Sequence, residues 1–139
     1  MKNLACLLAL LLAGCNTSPT PRGQATPVHP NKIVAGGLLA PSGERTIPVV
    51  FTRDQGLSGG GGSVSLKIDG RPVAKFAVAE TLTVYLAAGN HIFGAVALEA
   101  LNPVGESGEM IVKGEPNRFR ISILPGYFTV NFKVSRTAY

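Results

Sequence analysis

The chain has 139 residues, 45% of them hydrophobic and 15% charged, with a formal net charge of +5 and no Trp. That length accommodates one domain and a connecting segment. The basic balance admits phosphate-bearing partners, but the cations are spread singly with no basic run, so nucleic acid is not an expected partner and a mixed solvated surface is the plainer reading.

Lys2 precedes an apolar run over residues 4–13, followed by Gly14-Cys15 and the polar Asn16-Thr17-Ser18. Charge, a short apolar core and small residues at a cleavage point are the layout of a secretory signal. The run is shorter than the roughly 20 apolar residues of a membrane-spanning helix. Leu12-Ala13-Gly14-Cys15 resembles the lipobox of bacterial lipoproteins. The resemblance implies a signal peptide over 1–14, cleavage before Cys15, a diacylglycerol on its thiol and a palmitate-type chain on the new amine. Asn16, where an Asp would favour inner-membrane retention, makes the outer membrane the implied location, with the protein facing the periplasm. Two acyl chains suffice for stable attachment, each buried methylene contributing about 0.8 kcal/mol. Cys6 lies in the discarded signal, so no disulfide is expected within one mature chain and the fold must rest on its own core.

Residues 15–46 read as the lipidated Cys and a Pro-rich tether, with Pro19, Pro21, Pro27, Pro30 and Pro41 among Ser, Thr, Gly and Asn. Such a stretch buries too little apolar area to offset its ordering entropy. As a flexible coil it would hold the domain roughly 30 Å from the lipid, and in polyproline geometry about 90 Å. Ile33-Val34 and Leu38-Leu39 form one apolar patch within it, suited to docking on the domain or adding an edge strand.

From Ile47 to Tyr139 the pattern changes to period two, the mark of half-buried strands. Ile47, Val49 and Phe51 alternate with Pro48, Val50 and Thr52; Val64, Leu66 and Ile68 alternate with Ser65, Lys67 and Asp69. Asp69-Gly70 reads as a tight hairpin turn, since Gly accepts the positive φ that such turns need. Ala74, Phe76 and Val78 supply the next inward face, then Leu82, Val84 and Leu86, with Ala88-Gly89-Asn90 as a further turn. Ile92, Val96 and Leu98 follow on a strand loosened by Gly94; residues 99–108 read as a loop, and Met110 and Val112 as a short strand. Phe119, Ile121 and Ile123, then Phe128, Val130, Phe132 and Val134, complete the inward set. The expected fold is all-β: an antiparallel sandwich of about seven or eight strands over 47–139. Tyr139 ends the chain on an aromatic, as outer-membrane barrels often do, but these strands fall short of the about 9–11 residues a barrel strand needs.

Within this stretch, Ile68-Asp69-Gly70, Pro72-Val73 and Leu86-Ala87-Ala88-Gly89-Asn90-His91 resemble the PEGA-type β-module of bacterial envelope proteins. The chain departs from that pattern at Ala79-Glu80-Thr81, where the module usually carries Thr-Pro. The whole is also similar to small proteobacterial envelope lipoproteins. These resemblances imply an Ig-like β-sandwich and a non-enzymatic role, and bring no catalytic residues.

Gly59-Gly60-Gly61-Gly62 lacks the Gly-Lys-Ser/Thr and following helix of a phosphate-binding loop. Metal binding needs several His, Cys or carboxylates in reach; the chain offers His29 in the tether and His91 at a turn, so no metal and no cofactor are expected. Asp54, Asp69 and Glu80 read as loop and turn residues rather than a paired acid and base. Lys67, Lys75, Arg118 and Arg120 project outward by alternation. If they share a face, they form a positive surface for headgroup phosphates or an acidic protein; otherwise they are solvated charges that discourage edge pairing. The expected function is a lipid-anchored binding or scaffolding module in the periplasm, held to the membrane and partnered by another envelope protein. The alternative is an inhibitor or a glycan- or small-ligand-binding lipoprotein using loops 54–62 and 99–108.

Overall fold

A computed structural model describes residues 17–56, 62–96, 105–125 and 130–138. The anchor sequence through Asn16, Cys15 included, lies outside the described residues. The strands are β1 (Thr26–Pro27), β2 (Ile47–Arg53), β3 (Val64–Ile68), β4 (Arg71–Phe76), β5 (Glu80–Leu86), β6 (Gly89–Val96), β7 (Gly105–Ile111), β8 (Arg118–Pro125) and β9 (Val130–Arg136). They form a five-stranded sheet in the order β1-β5-β2-β8-β9 and a four-stranded sheet in the order β4-β3-β6-β7. The fold is all-β, and the two sheets bury one common core.

Alternation builds that core. In β2, Ile47, Val49, Phe51 and Arg53 are buried while the residues between them are not. Phe51 from β2, Phe93 from β6 and Phe119 from β8 meet at its centre, with ring centroids 4.9 Å apart for Phe51–Phe93 and 4.8 Å for Phe93–Phe119. Both contacts are edge-to-face, the arrangement favoured by the ring quadrupoles. Asp69 (φ 51°) and Gly70 (φ 76°) turn β3 into β4 with two successive left-handed residues, as the sequence predicts.

Three expectations change. The pairing is not purely antiparallel: β1 runs parallel to β5, and β2 parallel to β8. Parallel neighbours need a crossover connection. Between β2 and β8 the chain passes into the four-stranded sheet, returns for β5 and leaves again, so β8 re-enters beside β2 in the same direction. The inward register is also shifted by one at Ile92 in β6 and at Met110 and Val112 around β7, while Val96 at the end of β6 is buried as expected. Phe93, Ala95 and Ile111 are buried, whereas Ile92 and Met110 are each 50% exposed and Val112 38%. A one-residue slip exchanges the faces of a strand, and the aromatic Phe93 outcompetes Ile92 for the core. Leu98 and Phe128 lie outside the described residues.

The third change concerns the stretch read as a tether. Residues 17–46 are laid against the sheets. Ser18 and Gln55 exchange backbone hydrogen bonds, Thr26 N–H donates to Ala79 O, and Val28 N–H donates to Thr81 O. Val34 and Ala35 N–H both donate to Val73 O on edge strand β4. Val28 is 4% exposed, and Ile33, Ala35 and Leu38 pack on the core. Proline removes donors from this segment, but the remaining N–H groups find carbonyls on sheet edges, and the apolar patch supplies the burial that the rest lacks. The extended reach of a coil therefore does not apply to 17–46.

Candidate functional site

The outer face of the five-stranded sheet carries Val50 and Thr52 on β2, Thr81 and Thr83 on β5, and Arg118 and Arg120 on β8. Residues 19–25 arch over it, from the Ser18–Gln55 bridge to β1, and a groove of about 330 Å³ lies between arch and sheet. Arg22 enters from the arch, Arg118 and Arg120 from the floor, and Asp54 from the end of β2.

The hydroxyls of this floor are ordered by a simple proton count. Thr81 Oγ1 donates its one proton to Phe51 O at 3.0 Å. The 2.9 Å contact between Thr52 and Thr81 hydroxyls is then donated by Thr52. Thr20 on the arch donates to Arg53 O at 2.8 Å. Asp54 is 3% exposed and takes both Nε and an Nη of Arg120 in a two-pronged ion pair. Thr17 also donates to Asp54, at 3.3 Å. Arg120 is thus committed to Asp54. Among the described residues, the Arg22 guanidinium reaches only Ala138 O, at 3.4 Å. Among the described residues, the Arg118 guanidinium has no hydrogen bond or ion pair. Three cations against one carboxylate leave the groove electropositive, and walls such as Val50 and Phe119 reduce the screening of that charge.

The four cations singled out from the sequence do not form one face. Arg118 and Arg120 share the groove on the five-stranded sheet; Lys67 and Lys75 stand on the outward side of the four-stranded sheet. The loop pair 54–62 and 99–108 also changes. Asp54 is buried, residues 57–61 and 97–104 lie outside the described residues, and 105–108 belong to β7.

Asp54 follows β2 and Asp69 sits in the β3–β4 turn, as the sequence reading has them, whereas Glu80 belongs to a strand; each carboxylate is engaged, Asp54 by Arg120, Asp69 by His91 and Glu80 by Lys32. Glu80 opens β5, is 8% exposed, accepts from Lys32 Nζ at 2.8 Å and from Ala77 N–H at 2.6 Å. Nearby, Arg53 is 1% exposed and donates to Gly62 O at 2.6 Å and Phe76 O at 2.8 Å. Burial pulls the Arg53 guanidinium below its ordinary range, and the field of Glu80 acts the other way. Arg53 continues the Ile47-Val49-Phe51 alternation, so its inward position was readable from the sequence.

A second cavity, about 670 Å³, lies beneath residues 35–45, with Leu38, Ile68, Val73 and Leu86 in its walls and Arg45, Arg71 and His91 at its rim. His91 bridges Asp69 Oδ2, 2.8 Å from Nδ1, and Ala87 O, 3.1 Å from Nε2, and so ties two turns together. For Asp69, partial burial raises the carboxyl. The Ile92 N–H, His91 and the Arg71 charge oppose this and together outweigh it, so the net direction is down.

Among the described residues, no three His, Cys, Asp or Glu side chains gather as a metal-ligand set. No protein-family model, curated protein sequence or solved structure matches the chain.

Proposed function

We propose that this chain is a lipid-anchored envelope module: a β-sandwich of PEGA- or Ig-like type, held at the bacterial outer membrane through acylated Cys15. It faces the periplasm and acts by binding or scaffolding another envelope protein, without catalysis. The observation that carries this reading is Leu12-Ala13-Gly14-Cys15 at the end of a short apolar run behind Lys2. Two acyl chains bind a bilayer stably, so no further membrane-binding element is needed.

The packing of residues 17–46 refines the reading. Thr17 and Ser18 bond to Asp54 and Gln55 at the end of β2. Cys15 is two residues from Thr17, a span of at most about 7 Å. The domain sits at the membrane surface rather than far out on a tether. Cys15→Ser is expected to move the protein from the membrane fraction to the soluble periplasm, and the mass of the wild-type mature chain is expected to start at Cys15 with its acyl groups. A variant that still sediments with membranes, or an unacylated wild-type mass, overturns the proposal.

A further inference from the structure

We infer that the groove under residues 19–25 is a seat for the phosphate of an anionic lipid headgroup, with Arg118 and Arg22 as its principal contacts. The inference rests on the reading of Cys15 as the lipidated residue and adds a second, charge-specific contact with the same membrane.

Three observations converge on it. Arg118 is half-buried on the groove floor and has no anionic partner among the described residues. Arg120, beside it, is already neutralised by Asp54, so it shapes the floor rather than competing for a ligand. Arg22, on the arch, lines the groove and among the described residues is held only by a long contact to a backbone carbonyl. Two guanidiniums facing one small cavity repel each other until an anion enters, and phosphate oxygens match their planar forks of donors.

The position of the groove supplies the occupant. Pro19, in its wall, is four residues from Cys15, a distance of at most about 14 Å. A bilayer's headgroup layer is about 5–7 Å deep on each side. The groove is therefore within reach of the layer where lipid phosphates are concentrated. At its mouth a shallower depression of about 590 Å³ is lined by Pro19, Pro21 and Ala138 together with Thr20 and Arg22. Its apolar rim suits the glycerol portion of a lipid better than a bare inorganic ion.

The full acylated chain can be reconstituted in phosphatidylcholine vesicles with and without phosphatidylglycerol, and its thermal midpoint followed. Occupancy at about ten times Kd is expected to raise the midpoint by about 5 °C with phosphatidylglycerol. Arg118→Ala is expected to abolish the difference between its midpoints with and without phosphatidylglycerol. Lys75→Ala removes the same charge from the opposite sheet and is expected to retain the rise. An equal rise in Arg118→Ala, or no rise in the wild type, overturns the inference. An equal rise with inorganic phosphate in phosphatidylcholine vesicles reassigns the seat to a free anion and overturns the lipid assignment. Vesicle flotation separates the two levels: a chain that does not float fails the anchor reading, whereas one that floats without a phosphatidylglycerol effect fails only the groove.

Discussion

The two sheets bury matching inner faces and treat their outer faces in opposite ways. The five-stranded sheet turns out Thr and Arg, and its own N-terminal segment arches across them to make a charged groove. The four-stranded sheet turns out Lys67, Lys75, Ile92 and Met110, and the latter two are left 50% exposed. Period two decides which side chains leave the core. It does not decide what then covers them; that depends on where a distant part of the chain happens to run.

This contrast can be broken at the shared core first. Phe93→Ala removes the ring that joins Phe51 and Phe119 across the sheets and is expected to cost about 3–5 kcal/mol. Chemical denaturation should then show one transition, with both sheets lost together. Arg53→Met comes next, at about 3 kcal/mol, because it orphans the Gly62 and Phe76 carbonyls and takes a cation from the neighbourhood of buried Glu80. The same denaturation midpoint measures it. Val28→Ala tests whether the N-terminal segment is part of the five-stranded side; losing a buried Val there is expected to cost about 2 kcal/mol. An unaffected midpoint would mean the segment adds nothing to stability.

The smallest effect belongs to the four-stranded side. Asp69 has its carboxyl held below the ordinary range in the folded state, so it stabilises the fold above its unfolded value and loses that contribution as pH falls through the folded one. Asp69→Asn should flatten the acid limb of the stability curve below about pH 4 and leave its shape near neutrality unchanged.

Much of the fold was legible in residues. The alternation from Ile47 to Phe51, from Val64 to Ile68 and from Leu82 to Leu86 gives strands with the correct inward faces, and Asp69-Gly70 gives the hairpin turn. The slip at Ile92 and Met110 has a clear cause: β6 and β7 are interrupted by Gly94 and Gly108, and apolar residues stand on both faces, so local pattern favours neither register. In residues 17–46 the docking of the patch around Ile33 and Leu38 was legible, but the rest was misread as a free tether because composition reports the apolar area a segment owns, not the sheet edge waiting for it. For the candidate site, Arg118 and Arg120 were found by alternation. Arg22 was not, since only the path of the arch brings it there. Lys67 and Lys75 were grouped with them because a sequence does not say which sheet a strand joins.

Arg136 has a consequence for how copies of the molecule meet. It ends β9, lies 4.9 Å from the centre of the Phe119 ring, and donates to Met110 O on β7 at 2.6 Å. One guanidinium thus spans the outermost strands of both sheets and occupies an acceptor that a neighbouring chain would otherwise use for strand addition. The clasp thereby opposes edge-on pairing between copies at that carbonyl.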